Sequence, residues 1–147
     1  MLRLLLVGAA LAALVVLACG DDEGGGEVGV ALQEFAVLPS VSSIGAGEVT
    51  FVAVNEGPES SHELVVIKTD LAPNALPTNP DGSVNEAGAG IEVIGEIEEF
   101  PVGESRSASF DLEAGGYVLI CNVTEEEDGQ VEAHYAEGML VGFTVTD

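Results

Sequence analysis

Basic side chains are almost missing from this sequence. Three Lys and Arg stand against 26 Asp and Glu, a formal net charge of −23. A chain so acidic is repelled by nucleic-acid phosphates and by anionic lipid headgroups, so no nucleic-acid role is expected, and the macromolecular surface its field favours is a basic one. Tryptophan is absent, and cysteine, histidine and methionine occur twice each. Two cysteines cannot build the disulfide framework of a small stapled fold. High acidity can signal disorder, but the regular apolar alternation along most of the chain argues for a folded core. No internal repeat is present.

Only one long uncharged apolar run exists. It extends from Leu4 to Leu17, behind Met1 and Arg3, and ends at Val16-Leu17-Ala18-Cys19 before the soft stretch GDDEGGGE. About fourteen residues are short of the roughly twenty that a spanning helix needs. A basic start, a short apolar stretch and a small residue before a cut describe a secretory signal. The V-L-A-C stretch resembles the bacterial lipoprotein signal, which implies that residues 1–18 are removed and that the sulfur of Cys19 carries lipid. Cys19 is then unavailable to disulfides or metal, and the chain is expected outside the cytoplasm, held to a bacterial membrane. Residues 19–27 read as the lipidated cysteine and a Gly-rich tether of roughly 15 Å root-mean-square span. Residues 28–147 are one domain's worth of chain, enough for a single core.

That domain reads as strands. The runs Val28–Val37, Val49–Asn55, Leu64–Thr69, Ser105–Leu112, Tyr117–Asn122 and Met139–Thr146 are β-branched, aromatic or alternating, with Gly and Pro between them. Period-two runs of this length predict an all-β, antiparallel sandwich. No helix is expected, and 71–90, with three prolines and an NPDG turn signal, reads as a long surface excursion.

The rare residues carry the functional signal. Once Met1 and Cys19 are assigned to initiation and lipidation, His62, Cys121, His134 and Met139 remain. One thiolate, two imidazoles and one thioether are the donor set of a blue-copper electron-transfer site: the thiolate and thioether hold Cu(I), and imidazole suits both oxidation states. Cys121 ends one predicted strand, Met139 begins the next, His134 lies between them, and His62 opens the strand LVVIK. Taken singly, each has a plainer explanation: Cys121 as a small buried hydrophobe, Met139 as core packing, and the histidines as ordinary polar residues. Tyr135 reads as local packing, and the acidic run at 125–128 lacks the alternating ligand spacing of a calcium loop.

The stretches N-E-G at 55–57 before S-H-E-L at 61–64, G-x-Y-x-L-x-C-N at 115–122 and H-Y-A-E-G-M at 134–139 resemble the cupredoxin family, which includes plastocyanin, azurin and sulfocyanin. The resemblance runs over about 28–147. It implies a Greek-key sandwich with one type 1 copper under one end, held by His62, Cys121 and His134 with Met139 as the weak axial donor. It also implies that backbone near Glu63 and Asn122 steadies the thiolate and that electrons cross at an exposed His134 edge. The chain departs from the family in the twelve residues between Cys121 and His134, where the family's link is much shorter. Asp128-Gly129 is a two-residue hairpin signal, so 124–133 is expected to fold out as a protruding arm that leaves and returns near one place. Loop closure adds only about 0.6 kcal/mol per doubling of length. The arm carries Glu125, Glu126, Glu127, Asp128 and Glu132 to the copper edge, where they are placed to guide a basic partner.

The expected function is a membrane-tethered, monomeric, single-copper electron carrier, not an enzyme. It serves a basic redox partner such as a cytochrome or an oxidase domain. A copper-handling protein for an oxidase and a metal-free sandwich acting as a binding or subunit module are the competing expectations. A second, catalytic copper is disfavoured because both histidines are already used.

Overall fold

A computed structural model describes residues 24–147. The expected leader, 1–18, and Cys19 lie outside the described residues. Among the described residues no helix is long and apolar enough to cross a membrane.

Two sheets face each other. The first has the order β2-β1-β4-β7, from β1 (Gly25–Gln33), β2 (Ala36–Pro39), β4 (Gly47–Gly57) and β7 (Ser105–Leu112). The second has the order β3-β11-β8-β5-β6, from β3 (Ser43–Gly45), β5 (His62–Lys68), β6 (Glu92–Phe100), β8 (Gly115–Ile120) and β11 (Leu140–Thr146). The chain crosses between the layers repeatedly, as a Greek-key sandwich does. Most pairs are antiparallel, but β1 with β4 and β3 with β11 are parallel, so the sheets are mixed where a purely antiparallel pairing was expected. Crossing from one layer to the other and back lets a strand return in the same direction as its neighbour, which hairpins alone do not allow.

The alternation read from sequence is what builds the core. Val28, Val30 and Leu32 on β1 and Val49, Phe51 and Ala53 on β4 point inward from the first sheet. Leu64 and Val66 on β5, Leu119 on β8, and Phe143 and Val145 on β11 meet them from the second. Phe51 sits at the centre, with the rings of Phe143 and Phe110 at 5.7 and 6.3 Å.

Three sequence expectations change here. The tether was expected to reach Glu27, yet Gly25 and Glu27 already pair with Glu48 and Thr50 of β4. A Cβ on Gly25 would lie 2.2 Å from the Glu48 carbonyl oxygen, so the glycine permits a close backbone approach. Strand β6 was not anticipated. Its sequence EVIGEIEEF is half acidic, and only Ile97 and Phe100 are buried on this sheet edge, so its apolar period is weak. The excursion 71–90 is no mere surface loop. Its Leu76 and Val84 are buried against the outer face of the second sheet, on Val65, Ile67, Val118 and Ile120. That sheet is therefore covered on both faces, which explains the continuous apolar run of β5.

The hairpin arm is present as expected. β9 (Thr124–Glu127) pairs antiparallel with β10 (Gln130–Ala133), and Asp128 and Gly129 take φ of 52° and 78°. Positive φ at both central residues matches a two-residue turn that follows the strand twist. One short helix, α1 (His134–Glu137), closes the arm.

The fully buried Phe51 supplies the first test. Phe51→Ala is predicted to lower the unfolding free energy by about 3–5 kcal/mol, with the denaturant slope unchanged. Urea unfolding followed by circular dichroism measures it.

Candidate metal centre

Strand alternation brings the first two donors together. His62, Leu64 and Val66 share the inner face of β5. Tyr117, Leu119 and Cys121 share the inner face of β8 and its continuation. Since β5 and β8 are antiparallel neighbours, with Val65 opposite Ile120, the start of one strand and the end of the other coincide at one pole. His134 arrives there because the arm returns to its origin: its backbone N–H donates to the Val123 carbonyl at 3.0 Å. The α1 turn then ties the last segment in place. Met139 N–H donates to the His134 carbonyl at 3.0 Å, and Cys121 N–H donates to the Met139 carbonyl at 3.1 Å.

Three donor atoms face one another as a result. The Nδ1 atoms of His62 and His134 are 3.2 Å apart, and the Cys121 Sγ lies 3.8 Å from the first and 3.4 Å from the second. A point equidistant from all three is about 2.0 Å from each, close to ordinary metal–imidazole bond lengths and somewhat short of a metal–thiolate bond. All three side chains are fully buried, as is Met139, which packs in the same inner core as Cys121. The donor set is soft at sulfur and borderline at nitrogen, which suits copper or zinc and not magnesium or calcium.

The chemistry of each group fits coordination. Burial pushes the Cys121 thiol up to about 12, and hydrogen bonds from backbone N–H groups of Glu63 and Val123 only partly offset this. The Glu63 N–H reaches the sulfur at 3.5 Å. The backbone near Asn122 thus acts on the sulfur through Val123, while Asn122 donates its own N–H to the Glu63 carboxylate at 3.1 Å. Its side chain clamps the 71–90 loop, accepting from Val84 N–H at 2.6 Å and donating to the Val84 carbonyl at 3.1 Å. Burial, reinforced by the neighbouring His134, holds His62 below the ordinary histidine range although Glu34 and Glu125 pull the other way. The shift favours the neutral imidazole, the form that offers a lone pair to a metal.

Side chains that sequence reasoning passed over complete the pole. The turn between β1 and β2 carries Glu34 and Phe35 across it. Glu34 accepts from the backbone N–H groups of Ser60 and Glu59, and its Oε1 lies 3.6 Å from His62 Nε2. Burial raises this carboxyl, but the two N–H bonds and His62 outweigh burial and leave it below the usual range. Phe35 packs edge-on to His134 with centroids at 5.3 Å. Asn55, also fully buried, donates to the carbonyls of Ser60 and Phe100 at 3.0 Å and so fixes the loop that delivers His62. A lone Glu-Phe between two strands carries no periodic signal, so nothing in the sequence pointed to this cover. Tyr135 is local packing as expected, donating to the Pro73 carbonyl at 2.8 Å.

The expected exposed His134 edge is not found. His134 is fully buried, with Phe35 on its ring and the Glu125 carboxylate 3.8 Å from Nε2. The long arm, which the family's short link does not provide, lies over the pole rather than standing away from it.

No protein-family model and no curated protein matches this sequence. Solved structures do match in fold. Auracyanin from Roseiflexus castenholzii is 20% identical with a TM-score of 0.55, over 84% of this chain and 97% of that one. Auracyanin A from Chloroflexus aurantiacus, described as a "blue" copper protein, is 19% identical with a TM-score of 0.54, over 84% of this chain and 100% of that one. An azurin from Methylomonas sp. strain J is 19% identical with a TM-score of 0.51, over 82% of this chain and 98% of that one. The fold is thus the cupredoxin sandwich that the sequence resemblance implies.

A thiol this buried and this weakly acidic is predicted to be inert. In the folded, metal-free chain at pH 8, Cys121 should react with a thiol reagent only at the rate of unfolding, and at once in denaturant. Thiol-counting absorbance with and without guanidinium checks it.

Proposed function

We propose that this chain holds one type 1 copper through His62, Cys121 and His134, with Met139 as a weak axial donor, and carries single electrons outside the cytoplasm. The observation that carries this reading is the triangle of Nδ1, Nδ1 and Sγ, with no side longer than 3.8 Å, buried at one pole of a sandwich. The likeness in fold to auracyanin A, a "blue" copper protein, supports it. Copper bound there supplies one-electron chemistry, cycling between Cu(I) and Cu(II).

The protein's part is to hold the donors still. His62 pairs with Phe100 at the start of β5, Cys121 directly follows β8, and the Met139 backbone is bonded to both the Cys121 and the His134 backbones. The Glu63 N–H bond to sulfur stabilises the thiolate over the thiol. Phe35 and the arm exclude water, so the ligand geometry has little freedom to reorganise on electron transfer. A carrier benefits from this enclosure; a protein that hands its metal to an acceptor has to present its ligands, and these are covered. Electrons then reach the pole through its cover of Phe35, Glu34 and the arm. The carboxylates around that cover, Glu59 and Glu126 among them, favour a basic redox protein such as a cytochrome or oxidase domain as partner. Lipid on Cys19, after removal of residues 1–18, is the proposed tether to the outer face of the membrane.

Adding Cu(II) to the purified chain is predicted to give an intense visible sulfur-to-copper band that Cys121→Ser abolishes. Absence of the band, or its survival in Cys121→Ser, overturns the reading. Met139→Leu is predicted to keep the band and raise the reduction potential by tens of millivolts, because a weak donor to copper is lost; protein-film voltammetry measures it. Cys19→Ser is predicted to release the chain from bacterial membranes into the soluble fraction, read by fractionation and immunoblot.

A further inference from the structure

The outside of the same pole carries a second group of metal-ligating side chains. Glu125 and Glu132 are direct cross-strand partners on the arm. Like charges placed directly opposite destabilise an antiparallel pair. Their carboxylates and the His134 ring offer donor atoms all within 4.8 Å of one another. The Glu125 carboxylate is held in place, its Oε2 accepting from Ser60 Oγ at 2.8 Å. Nε2 of the fully buried His134 has no hydrogen-bond partner and lies 3.8 Å from that same oxygen. A buried ring nitrogen aimed at a carboxylate pair without a bond is an unsatisfied group that a cation between them would satisfy. No basic side chain of the described residues does so: Lys68 pairs with Glu113 at 2.6 Å and Arg106 with Glu104 at 3.5 Å.

We propose that Glu125, Glu132 and Nε2 of His134 form a second divalent-cation site, of the oxygen and nitrogen chemistry that takes Zn²⁺. It goes beyond the electron-carrier reading and shares with it only the His134 ring, whose Nδ1 faces inward. Ligand atoms of a tetrahedral zinc site lie about 3.3 Å apart, so gathering a group spread over up to 4.8 Å onto one ion takes side-chain movements of roughly 1.5 Å, within the reach of a glutamate rotamer change. With a metal on Nδ1 as well, the ring bridges the two ions as an imidazolate and its Nε2 proton passes to solvent. With Nδ1 unmetallated, Nε2 binds as an ordinary neutral imidazole. Occupancy removes the repulsion between the paired glutamates and fastens the arm over His134, so the cover of the pole becomes metal-dependent.

Zn²⁺ titrated into the full-length, metal-free chain, with bound ion counted by equilibrium dialysis, tests this. Wild type is expected to bind two ions, one in the inner trio and one outside. Glu125→Gln and Glu132→Gln, each a near-isosteric change on the solvent-accessible arm, are expected to keep one ion and weaken the other at least roughly tenfold. Glu126→Gln removes the same charge from the same arm and is expected to leave both ions in place. Cys121→Ser is expected to weaken the inner ion and keep the Gln-sensitive one; if it leaves both unchanged, the inner assignment fails while the outer site stands. The proposal is overturned if neither glutamine variant weakens any bound ion, or if Glu126→Gln weakens binding as much as they do, which marks a diffuse acidic field instead of a site.

Discussion

Two imidazoles and a thiol pressed together in a buried pole are the constraint on which the rest of this structure depends. Each is polar, each is fully buried, and each points at the others. A buried polar atom left without a partner costs about 1–3 kcal/mol, and the ring nitrogens His62 Nε2 and His134 Nε2 have none in hydrogen-bond reach. The fold offsets this with a core continuous from Val28 to Val145 and with main-chain bonds that leave the donors no alternative arrangement. A cluster that is costly without an ion and well formed with one is the usual thermodynamic shape of a metal centre, in which binding free energy is also folding free energy.

The surroundings of that cluster are less common than the cluster itself. Carboxylates stand behind both rings, Glu34 behind His62 and Glu125 behind His134. Carboxylates placed behind metal-binding imidazoles orient the rings and make them more basic. Both come from segments outside the sandwich layers proper: the β1–β2 turn and the arm. The pole is thus assembled on a sheet end and finished by two short elements, a turn and a hairpin, that pack on it and bury it. The Asn122 side chain links a third segment, the 71–90 loop, to the residue beside Cys121.

Acidity works at this pole in two ways. Across the surface it supplies a long-range negative field that falls off with salt. At short range, the opposed Glu125 and Glu132 concentrate that charge next to a buried ring nitrogen. The first effect is a property of composition. The second exists only because the arm folds back over the pole.

Much of the architecture was legible because period-two apolar runs have one physical solution, a half-buried strand. The runs at 49–55, 105–112 and 139–146 became such strands, the continuous apolar run at 64–69 became one covered on both faces, and Asp128-Gly129 became the turn of the arm. The candidate donors were legible because cysteine, histidine and methionine are so rare here that chemistry left few other roles for them. What alternation could not supply was β6, whose acidic edge hides its period, the parallel pairs, or the fate of 71–90, since a loop's packing depends on which face of which sheet it meets. Nor could it supply Glu34 and Phe35, whose role follows from a turn landing on a pole contributed by residues far away in sequence. The sequence by itself determined most of the strands, the hairpin and the candidate donors, all set by local pattern and residue chemistry. Only the tertiary structure decided that the His134 edge is covered and which carboxylates stand behind the rings, because both depend on distances between segments that no local interaction controls.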